Sequence, residues 1–134
     1  MPQTGAIDSP VPGLFSKGFW DACMRHELTY LRCLTCEAAQ FNSAPLCRTC
    51  GGSNLERRNS EGKGRVRTWS IVWRGPTPAF TVPYAPAIVA VDEGFQMISN
   101  IVGCLPEDVS AGLRVHVVFH SISGGAVLPY FAPD

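Results

Sequence analysis

Two short and nearly identical stretches decide the architecture of this chain: CLTC at residues 33–36 and CRTC at residues 47–50. Two residues between paired cysteines allow a tight turn that aims both sulfurs at one point, and two such turns complete the tetrahedral sulfur site that zinc favours. Gly51 and Gly52 supply flexible backbone after the second pair. The spacing therefore predicts a small ribbon held by one structural zinc ion. The predicted ligands are Cys33, Cys36, Cys47 and Cys50.

Disulfide bonds, a redox-active dithiol and an iron site are the other uses of four such cysteines. A single C-x-x-C pair could be redox-active, but two matched pairs at this spacing indicate metal binding. Iron can occupy the same four thiolates, and zinc is preferred because nothing else in the sequence requires electron transfer. Four cysteine ligands leave no open position for water, so the predicted site is structural and not catalytic.

The composition is that of a globular protein with one compact domain or two small ones. The chain has 134 residues, of which 46% are apolar and 16% charged. Its 13 glycines and 11 prolines favour short strands over long helices. No apolar run approaches the ~20 residues that cross a bilayer, and residues 1–12 lack the features of a secretion signal. We therefore expect a cytoplasmic location and no membrane association. In that compartment clustered cysteines bind metal more often than they form disulfides.

The segment before the first cysteine pair predicts one short helix. Residues 1–15 are expected to form an extended arm, and Ser16 is a plausible N-cap residue. Spacing of three and four residues then places five side chains on one helix face. These are Phe19, Trp20, Cys23, Met24 and Leu28. This face packs either on the rest of the chain or on a partner.

Downstream of the ribbon, the sequence predicts a section rich in strands. Gly62 and Gly64 bracket the junction, and a tight turn at Glu93-Gly94 joins a predicted hairpin. The expected strands are residues 65–74, 87–91, 95–102, 113–122 and 126–131, with a short helical turn at 106–111. This order is that of an OB-fold, a small Greek-key barrel, although a plain five-stranded sandwich would give the same string. The predicted division is residues 1–32 for the arm and helix, 33–60 for the zinc ribbon and 61–134 for the OB-fold domain.

A local group of cations lies at the junction, interrupted by one acid, Glu61. Its members are Arg57, Arg58, Lys63, Arg65 and Arg67. They predict either a solvated ribbon edge or an anion site able to meet the phosphates of a nucleotide or nucleic acid. Trp69 and Trp73 follow at the same strand parity and could stack on a base, but we expect them to lie in the barrel core.

The remaining cysteines and histidines predict no catalytic residue. Cys23 lies on the apolar helix face and is most simply a small buried hydrophobic residue. Cys104 has no histidine or acid beside it in sequence, so we do not expect it to act as a nucleophile. His116 and His120 share a predicted face with Arg114, which favours a solvated strand surface over a metal or acid–base site.

Taken in order, these features resemble domain-of-unknown-function family thirty-five, whose members join an N-terminal helix, a rubredoxin-like zinc ribbon and an OB-fold. The resemblance covers roughly residues 15 to 132. It rests on Phe19-Trp20, the two cysteine pairs, residues 62–66, residues 86–91 with Gly94, residues 112–119 and residues 128–131. The chain departs from the family at residues 42–45, where an aromatic-Pro-Pro stretch is frequent. The fold expected from the resemblance is mostly β: a helix, a rubredoxin-like zinc ribbon and a five-stranded OB-fold barrel.

The resemblance also implies an accessory, non-catalytic role. Members of the family form hetero-oligomers with thiolase-fold enzymes such as acyltransferases, an archaeal hydroxymethylglutaryl-CoA synthase assembly and aldolases that shorten steroid side chains. They support the partner and help to bind acyl-CoA. The cation group would then contact CoA phosphates.

Two alternatives remain at this point. One is a single-stranded nucleic-acid binder, since OB-folds serve that role. It is disfavoured because the 11 Lys and Arg residues equal the 11 Asp and Glu residues in number. The other is a stand-alone CoA-thioester enzyme that uses Cys104.

Overall fold

The computed structural model describes residues 7–41 and 43–134. Asn42, part of the departure at residues 42–45, and the first six residues of the predicted arm lie outside the described residues. The elements in chain order are helix α1 (Lys17–Met24) and strands β1 (Thr29–Cys33), β2 (Ala39–Gln40), β3 (Leu55–Asn59), β4 (Lys63–Trp69), β5 (Ala85–Val91), β6 (Phe95–Ile101), β7 (Arg114–Ser121) and β8 (Val127–Pro133), with a 3₁₀ turn (Pro106–Asp108) between β6 and β7.

Helix α1 begins directly after Ser16, but the Ser16 side chain does not cap it. Its hydroxyl instead accepts a hydrogen bond from the N–H of Gly13 at 2.8 Å, which closes the turn before the helix. The helix ends at Met24, and His26 then adopts the left-handed conformation with φ 58°. A left-handed residue just past the last turn is a common helix terminator.

The predicted apolar face of α1 is correct in part. Phe19 and Cys23 are buried in the core shared with the barrel, and Trp20 is half-buried against it. The face therefore packs on the chain itself. Met24 contradicts the prediction, because it lies about 100° around the helix from Cys23 and is 56% exposed. Leu28 is buried, but it lies beyond the end of the helix.

The ribbon is a three-stranded antiparallel sheet in the order β2-β1-β3. Strand β1 lies in the centre, and its register with β3 places Cys33 opposite Leu55. This central position fixes the first cysteine of the first pair at the end of a fully paired strand.

The remaining strands form a closed barrel in the order β4-β5-β6-β8-β7, with β7 paired back to β4. The β6–β8 pairing at Ile101 and Phe131 is parallel, and the other strand pairs of the barrel are antiparallel. Closure of five strands into a Greek-key barrel excludes the plain sandwich and confirms the predicted fold class.

Strand β4 ends earlier than the predicted strand at residues 65–74. A bulge between Val66 and Thr68 shifts its register against β5, and the regular pairing stops at Trp69. The expectation of core tryptophans is wrong, because Trp69 is 38% exposed and Trp73, beyond the strand end, is 67% exposed. The register places Trp69 opposite the inward-facing Ala87, but it is the last residue of the strand and its ring stays partly exposed at the end of the barrel.

The junction between ribbon and barrel depends on two glycines, Gly62 and Gly64. A Cβ on Gly64 would lie 2.5 Å from the carbonyl oxygen of Ala90. Gly62 has φ 75°, and a Cβ there would overlap the Val117 side chain. Only glycine meets both the left-handed backbone and the close approach.

The turn between β5 and β6 ties the junction to the barrel. The Glu93 carboxylate accepts hydrogen bonds from the Ser60 hydroxyl at 2.6 Å and from the Glu61 N–H at 2.9 Å. The N–H of Ser60 also donates to the carbonyl of Leu28 at 2.7 Å. These bonds set the orientation of the ribbon relative to the barrel.

One row of aromatic rings links the helix, the ribbon and the barrel into a single core. Phe19 and Phe41 meet edge to face at 5.1 Å between ring centroids, and Phe41 stacks on Phe95 at 6.1 Å. Tyr30 of β1 stacks on the same Phe95 at 5.0 Å. Aromatic pairs of this kind stabilise the contact between helix, ribbon and barrel by more than the burial of their surface area alone would.

Candidate metal centre and apolar cleft

The first cysteine turn is defined by its backbone hydrogen bonds. Cys33 N–H donates to the carbonyl of Ala38 at 2.9 Å, and Glu37 N–H donates to the carbonyl of Cys33 at 2.9 Å. Glu37 adopts φ 66°, a left-handed conformation that is unusual for a residue with a side chain.

The second turn repeats this pattern at the same offsets. Cys47 N–H donates to the carbonyl of Gly52 at 2.8 Å, and Gly51 N–H donates to the carbonyl of Cys47 at 2.9 Å. Gly51, with φ 77°, occupies the position equivalent to Glu37. The two turns are therefore local copies that present their sulfurs in the same way.

The four cysteine sulfurs all lie within 4.8 Å of one another. Cys33 Sγ is 3.6 Å from Cys50 Sγ, and Cys36 Sγ is 3.7 Å from Cys47 Sγ. A zinc–sulfur bond of ~2.3 Å in a tetrahedron gives a sulfur–sulfur edge of about 3.8 Å. A disulfide would need ~2.05 Å. The donor set and its spacing therefore fit a zinc ion shared by both turns.

Backbone N–H groups point at the sulfurs and favour the thiolate form. Thr49 N–H donates to Cys47 Sγ and Gly52 N–H to Cys50 Sγ, both at 3.4 Å. The backbone N–H groups of Cys50 and Thr49 lower the pKa of Cys47 to about 6. Thiolate is the form that ligates metal, so the second turn favours it at Cys47. Despite a backbone hydrogen bond from Ala38, burial and the neighbouring cysteine sulfurs raise the pKa of Cys36 to about 12.

The structure divides the predicted cation group between two sheets. Arg57 on β3 is half-buried and donates to Thr29 Oγ1 at 3.0 Å and to Ser43 Oγ at 3.2 Å. Burial lowers the pKa of Arg57. Arg58 points to the opposite side of β3 and pairs with Glu56 at 2.7 Å. Both arginines are thus engaged within the ribbon.

Lys63, Arg65 and Arg67 are exposed on β4 of the barrel. Arg65 lies opposite Arg114 of β7, whose guanidinium makes two hydrogen bonds of 2.9 Å to the Asp92 carboxylate. Hydrogen bonds from Arg114 hold the pKa of Asp92 below its usual value. Arg114 extends this basic surface, and sequence proximity could not reveal it because β7 is distant from β4 in the chain.

A cleft of about 710 Å³ opens between α1, the segment after β2 and strands β6 and β8. Its wall is mainly aromatic and aliphatic. Six of these side chains are Phe19, Trp20, Phe41, Met97, Ile98 and Leu128. Among the described residues that line it, none is Lys, Arg, His, Asp or Glu. No pattern in the sequence predicts this cleft, because its walls come from at least four separate parts of the chain.

Five residues with polar side chains also line the cleft: Ser16, Ser43, Ser99, Asn100 and Tyr130. The Ser99 hydroxyl donates to the carbonyl of Pro129 at 2.7 Å. Burial raises the pKa of Tyr130 to about 12, so its phenol stays protonated at neutral pH. The Tyr130 ring also stacks on the His120 ring, with 5.6 Å between the ring centroids.

His120 contradicts the expectation of a solvated strand face. It is half-buried, and its Nε2 has no hydrogen-bond partner among the described residues. His116, in contrast, is at the surface and lies 3.0 Å from the Asp134 carboxylate. The difference arises because Tyr130 of β8 covers His120, whereas His116 lies opposite Ala132, near the C-terminal end of β8.

The two cysteines outside the cluster are poor nucleophiles. Cys23 is fully buried, and burial raises its pKa to about 11. Burial, followed by the nearby charge of Asp108, raises the pKa of Cys104 as well. Both thiols are protonated at neutral pH, which disfavours the alternative that Cys104 catalyses thioester chemistry.

Fold and cysteine cluster together define a protein that combines a zinc ribbon with an OB-fold. The family model described as ChsH2, rubredoxin-like zinc ribbon domain, matches residues 20–56, and the model described as ChsH2, C-terminal OB-fold domain, matches residues 58–120. A DUF35 domain-containing scaffold protein of Methanothermobacter thermautotrophicus is 36% identical over 101 residues, covering 73% of this chain and 75% of that protein. The chain belongs to domain-of-unknown-function family thirty-five (DUF35).

Two further proteins are similar to this chain. It is 29% identical over 116 residues to the probable enoyl-CoA hydratase alpha subunit of Thermomonospora curvata, which covers 86% of this chain but only 36% of that protein. It is also similar to a chain of the solved Ltp2-ChsH2(DUF35) aldolase, with a TM-score of 0.85 and 26% identity over 93% of this chain and 98% of that one. In the described part of the chain, no helix has the length and apolarity to cross a membrane.

Proposed function

We propose that this chain is the accessory subunit of an acyl-CoA enzyme with a thiolase-like catalytic partner, either an aldolase or an acyltransferase. The observation that carries the proposal is the likeness, over 93% of this chain, to a chain of the Ltp2-ChsH2(DUF35) aldolase. Steroid side-chain shortening and polyketide or other acyl transfer are the reactions implied by the family resemblance. The protonated Cys104 and Cys23 thiols agree with a chain that leaves the chemistry to its partner.

Zinc has a structural part in this proposal. The four clustered cysteines hold the ion, and its binding free energy folds a ribbon too small for a core of its own. The ribbon then positions helix α1 and the barrel through the aromatic row described above. Chemistry at the metal is not involved, since four thiolates fill the coordination sphere.

The basic surface of β4 is the proposed contact for the CoA phosphates. Arg65 is central, with Lys63 and Arg67 on the same strand. Arg114 lies opposite Arg65, but its pairing with Asp92 makes it a weaker candidate. Arg57 and Arg58 were predicted for the same contact, but their hydrogen bonds within the ribbon make them weaker candidates. Guanidinium groups suit phosphates because they bind two oxygens at once.

The subunit proposal is tested by co-expression with a thiolase-like protein encoded beside this chain. We expect the two proteins to co-elute from a sizing column, and separate elution would contradict the proposal. The phosphate contact is tested in the complex by calorimetric titration with CoA. Arg65→Glu should weaken binding, whereas the control Arg25→Glu, the same charge change at the end of α1, should not. Equal affinities would remove the β4 surface from the site.

A second candidate is favoured by the two exposed tryptophans. Trp69 and Trp73 lie at the end of β4 and in the loop that follows it, a region with which OB-folds bind single strands. Exposed aromatic rings can stack on bases. The zero net charge opposes this function. A salt-sensitive gel shift with a single-stranded oligonucleotide, lost in Trp73→Ala, would establish it over the first proposal.

A further inference from the structure

The apolar cleft has the dimensions and chemistry of a ligand site rather than of a packing defect. Its volume of about 710 Å³ lies within the ~300–1,000 Å³ range of small-molecule pockets. Trp20, Phe41 and Leu128 are among the apolar side chains that line it. Such a site favours an apolar ligand with few hydrogen-bonding groups.

The absence of charge among the described lining residues further limits which ligands the cleft can bind. Without a charged side chain among its described lining residues, the cleft would desolvate a phosphate or carboxylate without compensation. The protonated phenol of Tyr130 and the amide of Asn100 are neutral. The cleft is therefore suited to the hydrocarbon part of a ligand and unsuited to its anionic part.

The barrel register places this cleft on the same outer surface as the β4 cations. Arg65 of β4 lies opposite Ala90 of β5, and Ala90 lies opposite Gln96 of β6. Two residues further along β6, on the same face, Ile98 lies at the cleft rim. Two strand spacings of ~4.8 Å and one two-residue step of ~7 Å separate Arg65 from Ile98 by about 12 Å. A ligand with phosphates at one end and an apolar group at the other can span both surfaces.

We propose that the cleft between α1, the segment after β2 and strands β6 and β8 binds the uncharged hydrocarbon chain of an acyl thioester. This inference rests on the proposed function, and it assigns to this chain the recognition of the acyl group as well as of the CoA phosphates. Ile98 is 75% exposed in the middle of β6, and it is the residue that the hydrocarbon chain of the ligand contacts as it enters the cleft.

The experiment measures how affinity depends on acyl length. The full zinc-loaded chain is titrated calorimetrically with CoA and with butanoyl-, hexanoyl- and octanoyl-CoA, which differ only in the hydrocarbon part. Each buried methylene should raise the affinity by roughly three- to fourfold. Ile98→Glu, which places a carboxylate at the rim, should remove this dependence. Leu128→Trp, which narrows the cleft without adding charge, should reduce it for the longest chain.

The matched control is Leu105→Glu. Leu105 is 60% exposed and does not line this cleft, so the same substitution should leave the length dependence unchanged. Thermal unfolding of each variant separates a local effect from loss of the fold.

The outcomes distinguish this inference from the proposed function. Equal affinity for CoA and octanoyl-CoA would overturn the inference, while co-elution with the partner would leave the accessory role intact. If Ile98→Glu abolishes co-elution and acyl length has no effect, the cleft receives a partner's side chains and the inference is wrong. A clear length dependence without co-elution would support the cleft and contradict the accessory role.

Discussion

Replacing Gly62 by alanine tests whether the junction is as tightly constrained as the structure implies. Gly62 has φ 75°, and a Cβ there would overlap Val117, whose N–H donates to the Gly62 carbonyl at 2.7 Å and prevents the backbone from moving away. The left-handed conformation costs an alanine about 1–2 kcal/mol, and overpacking adds about 1–3 kcal/mol. We expect Gly62→Ala to lower the free energy of unfolding by about 2–5 kcal/mol in total.

Gly112→Ala is the matched control for the steric part of this loss. Gly112 has φ 84° in the same barrel, but nothing lies within 4 Å of a Cβ placed there. It should therefore cost only the backbone share of about 1–2 kcal/mol. Urea unfolding followed by tryptophan fluorescence measures both variants, and Val117→Ala in the Gly62→Ala background should restore part of the stability. Equal losses for the two glycine variants, or no rescue by Val117→Ala, would refute the reasoning.

Three further perturbations test the metal site and one surface ion pair. Cys47→Ser should lose bound zinc, ribbon order and partner binding together, because zinc contributes ~10–16 kcal/mol to such sites; Cys104→Ser should keep all three, as metal analysis and sizing chromatography would show. Glu37→Gly should stabilise the chain by up to about 1 kcal/mol in urea unfolding by relieving the left-handed backbone, and a loss of stability would contradict this. Asp92→Asn should cost about 0.2–1 kcal/mol at pH 7. Because Arg114 lowers the pKa of Asp92 in the folded state, the difference from the parent should disappear as the pH falls well below ~4, and a difference that persists in acid would contradict the pairing.

The sequence was informative wherever the structure depends on local geometry. The C-x-x-C spacing predicted the two turns, and the alternation of strand residues predicted a five-stranded β domain. Gly62 and Gly64 marked the junction because a tight backbone leaves a local signature. These features are set by residues that are close together in the chain.

Features that depend on long-range register escaped prediction. Trp69 is the last residue of β4 and stays partly exposed there, and no local pattern shows that the strand ends at this position. His120 is covered by Tyr130 from another strand, so its own strand pattern gave the wrong exposure. Arg114 reaches the β4 cations only across the barrel closure. The cleft combines at least four separate segments and has no sequence signature.

The aromatic row through Phe41 limits how this protein can be engineered. Phe41 belongs to the segment after β2, yet it both stacks on Phe95 of the barrel and forms a wall of the cleft. A barrel transplanted alone, from Lys63 onward, would therefore lose that wall and expose a bare aromatic ring to water. Exchange of modules between relatives should therefore keep the cleft intact only when helix, ribbon and barrel are exchanged together.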